Sequence, residues 1–195
     1  AYMSVGADAA QPDSYGKCQL LRLPDNTQVP GPGQIANHFL RDDQVWPVRR
    51  EVHATGPEAA MDELIAGPGD EDSELDLTTA VPEEGAEASV AGDVATVEPD
   101  AELSDAARAQ IVYTLTADPA VTSVEIEGQS YTRADFEEQT PSVLVESPLA
   151  FGEVSSPLTA RGTANTFEAT FSFEILDEDG EVLAGDFATA TSGTG

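Results

Sequence analysis

The sequence predicts an α+β fold: two helices on a small mixed sheet, followed by an all-β sandwich. Three observations carry this. Two apolar stripes at helical spacing, around Leu64 and Ile111, are separated by strand patterns. A β-branched run (Val121, Val124, Ile126) follows the second stripe directly, so helix and strand are consecutive partners. Beyond Pro141 the helical spacing disappears, and short strands alternate with turns.

Taken in order, residues 1–33 are rich in Ala, Asp, Gly and Pro and read as a flexible N-terminal segment ending in the linker Pro30-Gly31-Pro32-Gly33. Its one apolar patch, QLLRL at 19–23, suits a short strand or docking arm, and no order is expected ahead of Leu20. The first domain spans 34–137. It opens with a hairpin of strands 35–40 and 45–52 around Arg41-Asp42-Asp43. Pro47 has no N–H to give, so its strand belongs at an edge or carries a bulge. Thr55 and Glu58 have capping-box spacing ahead of a helix at 57–66, with Pro57 in its first turn. Ala60, Met61, Leu64 and Ile65 form its buried stripe, and Gly67-Pro68 ends it.

Residues 69–76, GDEDSELD, read as a solvated acidic loop, because they lack the ordered ligand spacing of a calcium loop. A strand at 77–82 follows, then a hairpin of 86–90 and 94–97 about Ala91-Gly92-Asp93. Alternation there turns Ala86, Ala88 and Val90 inward with Val94 and Thr96. The second helix runs over 105–117: Ser104 caps it, Asp105 favours its dipole, and Ala107, Ile111, Val112 and Leu115 form the stripe. Asp118-Pro119 stops it, and a strand to Ile126 turns back at Gly128-Gln129. Residues 130–136 close the domain, and 137–141 are a polar linker. The second domain, 142–195, shows strands at 142–145, 158–161, 167–176 and 182–187, with a hairpin turn at Asp177-Glu178-Asp179-Gly180.

Composition narrows the partners. The chain has 195 residues, with 37 acids against 8 bases and a net charge of −29. Such a polyanion repels phosphate backbones and anionic lipid, which excludes nucleic acid. The acidic surface keeps a salt-tolerant or exported protein soluble. No apolar run reaches the ~18 residues of a membrane span. The single cysteine, Cys18, permits no intrachain disulfide, and YGKC lacks the small apolar residues expected ahead of a lipidated cysteine.

The wording of several segments is more specific than their pattern. AQIVYTLTADPAVTSVEI (109–126), AAMDELIAGP (59–68), VWPVRR (45–50), LTTAVP (77–82) and DVATV (93–97) resemble, in order, the GerMN domain of sporulation and germination proteins. The departures are Trp46 in place of a small apolar residue, His38-Phe39 at an aromatic pair, and Glu98-Pro99 at a Leu-Ser pair. Ser147-Pro148-Leu149, Ser156-Pro157-Leu158 and Gly162-Thr163-Ala164-Asn165-Thr166-Phe167-Glu168 resemble the Gmad2 domain, an immunoglobulin-like module that accompanies GerMN. The resemblance implies a GerMN-like α/β sandwich followed by a partial immunoglobulin-like sandwich. It also implies a non-enzymatic envelope module, lipid-anchored or secreted, that binds an envelope protein or cell-wall glycan. About half a sandwich is present. The alternating strand over 167–175 therefore predicts either a homo-oligomer through this module or a natural chain continuing past Gly195.

Enzyme readings fail on inventory. His38 and His53 have no second ligand at metal spacing, so no metal or cofactor is expected. No nucleophile elbow, phosphate-binding glycine loop or zinc-protease motif occurs. The alternative is a carbohydrate-active or peptidoglycan-lytic enzyme with a carboxylate pair, such as Glu83-Glu84 or Glu137-Glu138. Among so many acids, chance pairs of this kind are expected. The candidate partner-binding surface is the first hairpin, with Phe39, Trp46, Arg49 and Arg50: the only tryptophan and the only adjacent arginines in an acidic chain.

Overall fold

The computed structural model of the chain describes residues 2–6, 33–84, 86–150, 154, 157–166, 170–177 and 179–190. Cys18, the patch at 19–23, most of the 30–33 linker, residues 167–169 and Glu178 of the last turn lie outside the described residues. Two compact units are present: one of 33–141 with 149–150, the other of 2–6, 142–148 and the described residues from 154 on. Strand β1 (Tyr2–Gly6) lies within the stretch expected to be a flexible lead-in, yet it pairs in the second unit. Alternation of Tyr2, Ser4 and Gly6 with Met3 and Val5 is a short strand pattern, too short to recognise without its partner.

The larger unit begins with the hairpin β2 (Gln34–Arg41) and β3 (Gln44–Glu51). Asp42 and Asp43 both have positive φ, 49° and 62°, the two-residue turn whose twist matches the strands. His38 sits opposite Pro47, a position where neither residue needs the other's N–H. The hairpin is widened at both edges, Leu40 bridging Thr78 and Val48 bridging Ala150.

Helix α1 (Pro57–Ala66) has the expected bounds, but its N-cap is Gly56, with no side-chain cap. The Thr55–Glu58 capping box therefore does not form; Gly56 at φ 140° places the chain one residue later than the motif requires. Residues 69–76 are not a solvated loop throughout. They wind into a 3-10 turn (Asp70–Leu75) that buries Asp72, because Arg50 waits for it inside. The expected strand at 77–82 reduces to the Thr78 bridge.

Strands β4 (Ala86–Ala91), β5 (Val94–Pro99), β6 (Ser123–Ile126) and β7 (Gln129–Tyr131) form a mixed sheet in that order, with β5 and β6 parallel. The two-residue turn at Gly92-Asp93 sets Ala88 opposite Val97 and Val90 opposite Ala95. Ala95 and Val97 thus face the core, and the expected inward pair Val94 and Thr96 is one residue out of phase. Helix α2 (Asp105–Leu115) is capped as expected, the Ser104 hydroxyl accepting from the Ala107 N–H at 3.1 Å. Every residue from Ala109 to Leu115 is buried, because α2 contacts the hairpin on one side and β6 and the 3-10 turn Arg133–Gln139 on others. Phe136 closes that end.

In the smaller unit β1, β9 (Thr159–Ala164) and β8 (Val143–Ser147) form one antiparallel sheet. Gly162 is obligatory there, since an added Cβ would lie 1.8 Å from the Leu144 carbonyl oxygen. Strands β10 (Thr170–Leu176) and β11 (Val182–Thr189) make a hairpin whose turn is tied by the Asp177 carboxylate, which accepts from Asp179 and Glu181. Its surface leaves Phe187 75% exposed, with Val182 and Leu183 also outside.

Candidate functional site

The first hairpin carries the four residues singled out by composition, and the structure does not bring them into one surface. Cross-strand partners share a face, so Phe39, Trp46 and Arg50 fall on one side and Arg49, opposite Ala36, on the other. Phe39 is fully buried, which removes it from any partner surface. Arg50 is also interior. Its guanidinium donates to both carboxylate oxygens of Asp72, lies 3.8 Å from Glu63 and stacks 4.9 Å from the Phe39 ring. A charge so deeply placed needs a paired anion, and Asp72 supplies it. Trp46 is half-buried, with the Arg41 guanidinium 5.0 Å from its ring. Arg49 reaches Glu51 at 4.0 Å on the opposite face.

The free edge of β2 was invisible in the sequence, and it is the more built feature. Helix α2 runs along it. The Thr114 hydroxyl accepts from the His38 N–H at 2.9 Å, and the Gln110 amide donates to the His38 carbonyl at 3.0 Å. Gln110 also accepts from the Ala80 N–H at 2.7 Å. The i, i+4 spacing of Gln110 and Thr114 lets two side chains replace a neighbouring strand. A polar pair at that spacing within an apolar helix was the available signal.

The His38 ring is buried against Tyr113, centroids 5.6 Å apart, with both nitrogens unbonded. Burial, with the nearby Arg133 charge, holds its pKa well below the usual value. Asn37 beside it donates to the Ala60 carbonyl, joining hairpin to α1. Arg133 stacks 4.8 Å from the Tyr113 ring and bonds Thr116 and the Tyr113 carbonyl, joining α2 to the closing turn. These polar groups brace the unit. Among the described residues, no group of three or more His, Cys, Asp or Glu is placed to hold a metal ion.

Comparison with known proteins gives the following. Residues 35–132 match the family model Germane, described as sporulation and spore germination. Residues 142–195 match Gmad2, the immunoglobulin-like domain of bacterial spore germination. A UPF0182 protein of a Nocardioides species is 40% identical over 68 residues, 35% of this chain and 7% of the relative. A UPF0182 protein of Paenarthrobacter aurescens is 61% identical over 33 residues, 17% of this chain and 3% of that one. The chain thus spans only a small fraction of these curated relatives. The tandem GerMN domains of the sporulation protein GerM from Bacillus subtilis align at 19% identity and a TM-score of 0.38, over 56% of this chain and 42% of that one. No described helix is long and apolar enough to cross a membrane. With half of its residues, 35–132, matched by the Germane model and 142–195 by Gmad2, the chain belongs to the sporulation and spore germination family, as a GerMN-like domain followed by an immunoglobulin-like one.

Proposed function

We propose that the chain is a binding or scaffold module of the bacterial cell envelope, secreted or lipid-anchored, that holds an envelope protein or a cell-wall component and turns nothing over. One observation carries the reading. Two domains stand in tandem in a single chain, and both families are described by germination rather than by a reaction. The part of the hairpin that meets the partner is Trp46 with Arg41, since a half-exposed tryptophan under a guanidinium is a usual hot-spot pair. The buried charges support the same reading, because Arg50 and Asp72 neutralise each other instead of facing a cleft.

The test is incubation of the full chain with purified peptidoglycan sacculi and with solubilised envelope protein. Retention in the pellet or on the captured partner, with no soluble glycan or peptide fragments over hours, is the expected result. Fragment release that scales with protein concentration overturns the binding reading in favour of a lytic enzyme.

A further inference from the structure

Between the start of α1 and the end of α2, the larger unit holds an open-sided pocket of ≈ 220 Å³. Ile35 and Ala36 of β2 form one side, and Pro57, Val90, Leu115 and Val121 supply apolar walls. The β2–β3 ladder runs without a register shift, so alternate residues of β2 turn their N–H and C=O away from β3. Their partners identify which ones. Leu40 exchanges bonds with Thr78, and His38 bonds Thr114 and Gln110. Ala36 is the next in that series. Helix α2 ends at Leu115, one turn too early to serve Ala36 as Thr114 serves His38. Among the described residues, nothing bonds the outward N–H and C=O of Ala36, and they lie at the pocket.

We propose that this is a strand-addition site: one extended segment of a partner protein lies along β2 at Ala36, bonds it through its own main chain, and sets a small apolar side chain against Val90 and Leu115. An unmet N–H and C=O pair on one strand edge matches a polypeptide backbone, which carries both groups at strand spacing. The volume falls below the ~300–1,000 Å³ of ordinary small-molecule pockets. Asp118 is the one charged residue lining it, in a chain of 37 acids and 8 bases. The segment is therefore basic rather than a second copy of this polyanion. The inference rests on the reading of the chain as a binding module, and uses a different surface from Trp46.

The test is hydrogen exchange by NMR on the full chain. The probe is a ten-residue peptide of alternating threonine and valine with lysine at both ends, beside an analogue N-methylated at every amide, so that neither of its edges can donate. The peptide should slow exchange of the Ala36 amide, and the analogue should bind about tenfold more weakly, the loss of roughly one net hydrogen bond. Ala36→Pro removes the outward N–H without touching a ladder bond, and should weaken the peptide by about the same factor at unchanged melting temperature. No binding at millimolar peptide, binding that leaves Ala36 exchange unchanged, or equal binding of both peptides overturns the proposal. So does an Ala36 amide already protected in the free chain and released on dilution, which assigns the edge to a second copy. If Ala36→Pro does not fold, the methylated peptide still decides. A chain that protects Ala36 yet retains no envelope material keeps this site and overturns only the broader reading.

Discussion

His38 is 1% exposed, and neither ring nitrogen finds a partner. Its folded pKa lies well below the ordinary 6.5, first from burial and second from Arg133. The folded chain therefore keeps it neutral while the unfolded chain takes up a proton near 6.5. The stability contributed by neutral burial is complete above 6.5 and is lost as pH falls below it, until the folded pKa is reached. Between about pH 7.5 and 5.5, wild type should lose stability relative to His38→Phe, by at most about 1.4 kcal/mol, read from paired urea unfolding curves. A constant difference would mean that the ring finds a proton acceptor in the fold. Gln110 gives a second check. Gln110→Leu strands the Ala80 N–H and the His38 carbonyl, at a cost of about 2–4 kcal/mol by chemical denaturation. A loss below half a kcal/mol would show that water replaces the amide. Neither role was read from the sequence, although the i, i+4 spacing of Gln110 and Thr114 stood in it. His38 read as a strand residue beside Phe39, and Gln110 carried no reading, because what each one meets lies about 70 residues away in the chain.

Elements whose cause is local were legible, and those whose cause is distant were not. The bounds of α1 and the Ser104 cap depend on neighbours in sequence, and they stand where the residues put them. The first hairpin turn is Asp42-Asp43 alone, because Arg41, expected within it, pairs with Gln44 at the end of β2. The phase of β5 depends on a turn of two residues rather than three, a difference of one that reverses every side chain. The burial of α2 on all sides depends on what packs around it, and its small and polar residues gave only a stripe. The Arg50–Asp72 pair joins residues 22 apart and made an apparently solvated acidic stretch part of the core. This moved Phe39 and Arg50 out of the candidate surface. Leu115, 3% exposed on the last turn of α2, tests the packing. Leu115→Ala should cost about 2–5 kcal/mol in urea unfolding. A cost under 1 kcal/mol would place that face against solvent.

At the scale of the whole molecule, charge is the dominant physical fact. A net −29 repels itself in the compact state, and screening shortens its reach to ~3 Å in 1 M salt. The melting temperature should rise steadily from low salt to 1 M NaCl. A flat or falling curve would show that the acids are locally compensated. The order of the two domains was readable from dense stretches of wording, while β1 joining the second unit was not, since five residues carry too little pattern to choose a sheet.

The central claim is that the chain binds envelope material through the exposed part of its first hairpin. The most direct measurement immobilises the full chain and a Trp46→Ala/Arg41→Ala variant of equal melting temperature, and compares their retention of sacculi and solubilised envelope protein in one buffer. Retention by the wild type that is lost in the variant is the predicted result, and equal retention by the two would contradict it.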